Sequence, residues 1–338
     1  MKKSAFLVAF AAIVAGVMVA CSQKGPMPNA EQEYYTISLG WEGEILDVWY
    51  EPLRSNSTDD LYGIQVYQAP DVELEEGKST TWTPYALGVF DNADDITIQL
   101  LKGYKYKFVA TMVVDGKKKL YNGGLNYLPF TLSHSNLILV KTNRFALAAE
   151  YLNAIENSTS KLKDGATYHR PNTERFYGEL EDYIPGSNGD KVKIKMMRTS
   201  FGAKFIANSE LIKNGSLEVL MTDAPKMELF GGQISDIFTF SDIKAAWADD
   251  EYTETIAVTF NWIRTDSTTQ SLGTHDVTYK RNATTVVRVN IKGEDENSVG
   301  GVGFEYDEAD LGEMPEDGEN DLIITDGEVV DTDVDTNQ

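Results

Sequence analysis

Few side chains in this sequence are of the kind that carry chemistry. There is one cysteine, Cys21, and three histidines, His134, His169 and His275. The histidines fall in unrelated segments, with neither one-residue nor three-residue spacing and no cysteine nearby. Nothing in their order supports a zinc centre or a Ser-His-Asp triad. Gly300-Gly301-Val302-Gly303 lacks the lysine and the following helical pattern of a phosphate-binding loop. Asp331, Asp333 and Asp335 copy the first half of an EF-hand loop without its glycine and closing glutamate, which leaves at most loose binding of a divalent cation. The many acidic residues near the end of the chain lie in polar sequence that raises no carboxyl pKa. The expectation is a protein with no cofactor, no metal site and no catalysed reaction.

The cysteine has a different reading. Met1-Lys2-Lys3 precedes an apolar run from Ala5 to Val19, and Ala20 precedes Cys21. A basic start, an apolar stretch of roughly 15 residues and small residues before a cleavage point describe an export signal rather than a membrane span. The segment resembles a bacterial lipoprotein signal, with Met18 where leucine is usual. On that reading residues 1–20 are removed and the Cys21 thiol is acylated, with palmitate as a typical chain. Burial is worth about 0.8 kcal/mol per methylene, so several chains would hold the protein on a membrane permanently. No cysteine then remains for a disulfide.

The formal charge of −23 is unevenly spread. Glu294 to Gln338 holds 17 acids and no Lys or Arg, and the residues before it carry a net −6. Such a balance argues against nucleic acid or an anionic bilayer surface as a partner. It also predicts that the tail is disordered in the monomer, although 299–306 and 322–330 hold enough apolar residues to form strands.

The elements that must position anything else read as strands. Tyr104, Tyr106, Phe108, Ala110 and Met112 alternate with polar residues or Val, and Ile96, Ile98 and Leu100 do the same upstream of Leu101-Lys102-Gly103. The two runs predict a hairpin. Further strands are predicted over 35–41, 45–50, 62–68 and 136–141, and then around 192–196, 217–221, 256–262 and 287–291. Phe145, Ala148 or Ala149, Leu152 and Ile155 share a helical face behind a cap at Thr142 or Asn143, and a second short helix is predicted over 241–247. The fold class is therefore all-β, two tandem β-sandwiches with short connecting helices and an acidic C-terminal tail. The predicted boundaries are 1–20 signal, 21–33 tether, 34–142 first sandwich, 143–165 helical and polar connector, 166–293 second sandwich and 294–338 tail. Trp41 and Trp262 follow the apolar phase of their strands. Of the other tryptophans, Trp49, Trp82 and Trp247, only Trp82 reads as loop-borne, a poor platform for a sugar.

Several segments together resemble the fimbrillin family of exported pilus subunits and anchors. They are 62–67 followed by 96–111 with Gly103-Tyr104-Lys105-Tyr106-Lys107-Phe108-Val109-Ala110; then Arg175-Phe176-Tyr177-Gly178 with 192–203, Arg198 and Lys204; and Tyr279-Lys280-Arg281-Asn282 leading into 286–291. The resemblance implies transthyretin-like sandwiches, delivery by lipid to the outer membrane or cell surface, and a role in adhesion. It implies cutting of shaft subunits after an arginine in an early loop, here Arg54, with a strand from the next subunit filling the vacated groove. Anchor-type members keep their lipid, so Cys21 and Arg54 imply opposite fates. Other fimbrillin-type subunits are the expected partners, beside the membrane and a host or bacterial surface ligand. Asp266-Ser267-Thr268 looks like an O-glycosylation motif of exported proteins, with Ser267 as acceptor. The alternative expectation is a surface lipoprotein binding glycan or peptide through sandwich loops.

Overall fold

The computed structural model describes residues 33–45, 59–73, 77–94, 96–119, 121–122, 126–127, 143–147, 155–207, 215–230, 232–295, 298–310, 323–325 and 328–330. Of the strand expected over 45–50 only Ile45 is among them, and the strand expected over 136–141, Trp49 and His134 lie outside them. Over the described residues the fold is almost all β. The first group is β1 (Tyr34–Glu42), β2 (Leu61–Pro70), β3 (Thr83–Phe90), β4 (Thr97–Leu101) and β5 (Tyr104–Val113). Two-residue ladders follow, β6 (Tyr121–Asn122) on β7 (Asn126–Tyr127) and β9 (Ser160–Lys161) on β10 (Thr167–Tyr168), with β8 (Arg144–Leu147) between them on β3. Then come β11 (Arg175–Tyr183), β12 (Lys191–Lys195) and β13 (Met197–Arg198).

These strands form a sandwich of two sheets, ordered β12-β1-β4 and β13-β11-β5-β2-β3-β8. Ile37, Leu39, Ile98 and Ile194 of the smaller sheet meet Ile64, Val66, Phe108 and Phe176 of the larger in one core. The larger sheet is buried on its other face too, where Tyr67, Val89, Val109 and Tyr177 pack with Ile155 and Ile243. Burial on both faces explains why β2 reads LYGIQVYQAP without clean alternation.

A second sandwich follows, from β14 (Ser200–Ala207), β15 (Gly215–Met221), β16 (Met227–Leu229) and β17 (Gln233–Thr239) to β18 (Thr253–Arg264), β19 (Thr269–Lys280) and β20 (Ala283–Asp295). Beyond them lie β21 (Ser298–Asp310), β22 (Ile323–Thr325) and β23 (Glu328–Val330). The sheets run β17-β14-β20-β21-β22-β23 and β16-β15-β18-β19, with Phe201, Phe205, Val219, Phe260 and Val287 in the core between them. Between β17 and β18 sits α1 (Ile243–Ala248), the second helix expected from sequence, whose Asp242 cap accepts from the Ala245 amide at 2.9 Å.

Three expectations differ from this architecture. β4 and β5 are not a hairpin: β4 pairs with β1 and β5 with β2 and β11, so residues 101–103 carry the chain from one sheet to the other. Both runs bury their apolar face, and burial is satisfied equally by facing strands across a core. Residues 144–147 are a strand, and Asn143 is left-handed (φ 52°), its side chain locked to Asp91 rather than capping a helix. Of the helix expected there, 148–154 lies outside the described residues.

The line between the two cores falls at Thr199, not in a connector at 143–165. Phe176, Val192, Ile194 and Met196 all point into the first core. Gly178 allows this approach, since a Cβ there would meet the Lys195 carbonyl oxygen at 2.4 Å. Within the acidic segment, the described residues of β21 run antiparallel to β20 over Ala283–Asp295.

Candidate functional site

The first described strand occupies a central seat in its sheet. β1 is the centre of a three-stranded sheet, parallel to β12 on one side and antiparallel to β4 on the other. Its amides donate to both neighbours, Ser38 N to the Asp190 carbonyl and Leu39 N to the Ile96 carbonyl, each at 2.9 Å. Ile37, Leu39 and Trp41 point inward at alternate positions and are at most 8% exposed. Taking β1 away would leave a slot one strand wide, floored by the opposite sheet and walled by unpaired backbone groups of β4 and β12.

The strand fits this slot with one defect. Trp41 stacks on Tyr62 at 5.8 Å, but its buried Nε1 has no hydrogen-bond acceptor among the described residues. An unmade hydrogen bond of this kind costs about 1–3 kcal/mol. Full burial of each of Ile37, Leu39, Trp41 and Ile45 is worth roughly 1.5–3 kcal/mol, so the apolar term still dominates. The apolar term therefore holds β1 in its seat.

Just past β1 the chain is latched. Gly43 turns through a left-handed conformation (φ 85°), and a Cβ there would meet the Met196 carbonyl oxygen at 2.8 Å. The turn delivers the Glu44 carboxylate to the Arg281 guanidinium at 2.6 Å and to the Arg198 amide at 2.7 Å. Arg281 is buried and also donates to the Arg198 carbonyl at 3.0 Å. Arg198 in turn pairs with Glu174 at 3.1 Å, lies over the Phe176 ring and donates to Asn282. Arg198, Arg281 and Asn282 stood in the sequence motifs, but Glu44 carried no local signal.

A third buried arginine has no carboxylate partner among the described residues. Arg175 donates to the Thr111 hydroxyl at 2.8 Å and to the carbonyls of Asn157 and Ile155 at 2.7 and 2.6 Å. Burial alone pushes its guanidinium down to about 9, still charged at neutral pH. Nearby, Glu179 binds Lys107 at 2.6 Å and Tyr177, while Lys244 bridges Glu179 and Glu156. Burial raises the Glu179 carboxyl, but hydrogen bonds from Lys107 and Tyr177 outweigh it and hold the group below the usual carboxylate range. An open polar recess of about 490 Å³ lies beside this network, lined by Glu156, Asn157, Ser241, Asp242, Ile243 and Lys244.

Of the residues singled out in sequence, Cys21, Arg54 and Asp331, Asp333 and Asp335 lie outside the described residues. In chain order Arg54 falls between β1 and β2. Ser267 is exposed at the tip of the β18–β19 hairpin with φ 67°, beside an Asp266 carboxylate that accepts from the Thr268 amide and hydroxyl at 2.9 and 2.6 Å. His169 contacts the Thr159 hydroxyl at 2.7 Å, and His275 sits in β19 near the Phe260 ring. Trp41 and Trp262 are core residues, as expected. Trp82 is half-buried, with the Lys105 ammonium 5.6 Å from its ring, and Trp247 packs edge-on against Tyr177.

No protein-family model matches the chain, and no curated protein matches it. Among solved structures it is similar to the fimbrial anchor protein Mfa2 from Porphyromonas gingivalis, at 9% identity and a TM-score of 0.34, over 83% of this chain and 98% of that one. The tip fimbrial protein Mfa3 from the same organism, solved with a C-terminal truncation, gives 8% identity and a TM-score of 0.33 over 82% and 100%. A proposed cell adhesion protein from Bacteroides eggerthii gives 11% identity and a TM-score of 0.36 over 83% and 96%. These neighbours are of the kind that the sequence resemblance named. At such scores they assign this chain no role, and its own geometry must carry the reading.

Proposed function

We propose that this chain is an exported, lipid-anchored pilus subunit or pilus anchor of fimbrillin type, acting in cell adhesion through β-strand exchange and catalysing no reaction. The observation that carries the proposal is the central seat of β1, with Arg54 following it in the chain. Cutting after Arg54 severs β1, Glu44 and Ile45 from the rest and makes them displaceable. The slot then accepts a strand from another subunit by main-chain hydrogen bonds and by pockets at alternate positions. Acylation of Cys21 would hold the uncut form at the outer membrane or cell surface.

The test is to cut the exported protein after Arg54 with an Arg-specific protease and follow its size. Polymers should form from cut protein, or uncut protein should cap existing pili; cut protein that stays monomeric and binds no pilin would end the fimbrial reading. Separately, Cys21→Ala should move the protein from the membrane fraction to the soluble exported fraction, and unchanged partitioning would end the lipid assignment.

The second reading, a surface lipoprotein that binds glycan or peptide, is favoured by the polar recess beside Glu156 and Lys244. It predicts a ligand-dependent rise in melting temperature that is lost in Lys244→Ala, with no assembly after cutting. Glycosylation at Ser267 fits either reading, given its exposed hairpin tip. It would appear as added mass that Ser267→Ala removes.

A further inference from the structure

The solvent face of the β1 slot carries a row of like charge. β12 has the sequence KVKIK, and Lys191, Lys193 and Lys195 alternate on its exposed face while Val192 and Ile194 point into the core. None of the three makes an ion pair among the described residues. In the parallel register their partners on β1 are Ser38, Gly40 and Glu42, so the resident strand brings one acid to three lysines. At Gly40 the mismatch is also one of space, because a Cβ there would lie 2.8 Å from the Lys191 Cε and 3.8 Å from its Nζ. A short acidic side chain in that place would need only a small shift of a flexible lysine to reach the ammonium.

One segment of the chain has the complementary spacing. Asp331, Asp333 and Asp335 alternate with Val330, Thr332 and Val334, a strand pattern with a fully acidic outer face. We propose that Lys191, Lys193 and Lys195 form a ladder that selects and registers this Asp331–Asp335 segment of a second copy of the chain as the strand that replaces β1. The inference rests on the strand-exchange reading above and names its partner. With Asp331 in the register of Ser38, Asp333 falls on Gly40 and Asp335 on Glu42. Val330, Thr332 and Val334 then take the inward positions of Ile37, Leu39 and Trp41.

That inward set is smaller than the one it replaces, so burial favours the resident strand and charge favours the incoming one. The ladder therefore acts on choice of partner and on register, which charge complementarity controls better than raw affinity. A slip by one residue would turn the three aspartates into the core, the costliest arrangement available to them.

The test uses the full chain cut after Arg54 and a labelled synthetic peptide spanning Leu322 to Gln338. At low salt the wild-type peptide should bind roughly tenfold tighter than one with Asp331, Asp333 and Asp335 changed to Asn, as three exposed cross-strand pairs allow. The gap should close at high salt. Cut protein carrying Lys191→Glu, Lys193→Glu and Lys195→Glu should reverse the preference, taking an Asp→Lys peptide over the wild-type one. Equal binding of the two peptides, unchanged binding to the Glu-ladder protein, or no binding of the peptide would overturn the ladder. Polymers that form from the Glu-ladder protein as readily as from wild type would overturn it while leaving strand exchange standing. Failure of wild-type cut protein to polymerise or bind any pilin fails the parent reading instead.

Discussion

The two sandwiches place their outlying strands in opposite ways. In the first, the earliest described strand, β1, lies in the middle of its sheet with both edges paired. In the second, the latest strands, β21 to β23, are the outer ranks beyond β20, with β22 touching β21 only through Ile324 and Ile323. Loss of the outer ranks shortens a sheet, whereas loss of β1 opens a core. On the strand-exchange proposal, the interior strand is the store of unpaired edge and apolar surface, and the outer ranks are the candidate source of a donor.

The comparison is broken most severely at Trp41. Trp41→Ala should destabilise the first sandwich by about 3–5 kcal/mol in urea unfolding. Deleting residues 323–338 should leave that transition in place. If the two variants lose similar stability, the contrast between interior and outer strands is wrong. Next in size is the latch. Glu44→Gln leaves the Arg281 guanidinium, only 3% exposed, with the more distant Asp250 carboxylate at 3.3 Å in place of its 2.6 Å partner. Removing one partner of a buried pair costs about 3–5 kcal/mol when nothing replaces it, so the loss here should be smaller, about 1–3 kcal/mol. On the strand-exchange proposal the same change should quicken displacement of β1 by added Leu322–Gln338 peptide after cutting, read as earlier appearance of the free fragment.

Acid gives a smaller and graded effect. The Glu179 carboxyl sits below its unfolded value in the fold, so its contribution is present above that unfolded value and is lost as pH falls through the lower folded one. Melting temperature should drop on acidification below about pH 4.5, the ordinary value for Glu. Glu179→Gln should flatten that slope, and an unchanged slope would remove Glu179 from the account. Smallest is Lys102→Ala. It breaks an exposed 2.8 Å pair with Glu33 beside the slot, and melting should not move.

Alternation along the chain located most strands, because a half-buried strand writes its two faces into the residue order. It could not name their partners. Ile96 to Leu100 and Tyr104 to Met112 satisfy the same pattern whether side by side or face to face across a core, and here they are face to face. Asn143 was legible as a residue that stops one conformation and starts another, but the element that follows is a strand on β3. β11 to β13 read as the start of a second domain because they follow a polar stretch, and only the direction of Phe176, Ile194 and Met196 assigns them to the first core. For the site, Arg54 and the Lys191, Lys193 and Lys195 spacing are visible in sequence. The central place of β1 and the contact of Glu44 with Arg281, 237 residues away, depend on ladders that no local pattern encodes.

The proposed replacement of β1 can be followed directly. The direct measurement is hydrogen exchange on protein cut after Arg54, followed by mass over β4 and β12 with and without the Leu322–Gln338 peptide. In cut protein the β1 fragment should stay bound until peptide is added, and added peptide should release the fragment, with amides of 96–101 and 190–196 exchanging faster during the replacement than in uncut protein. Full protection in cut protein with the fragment still bound after peptide is added would contradict it.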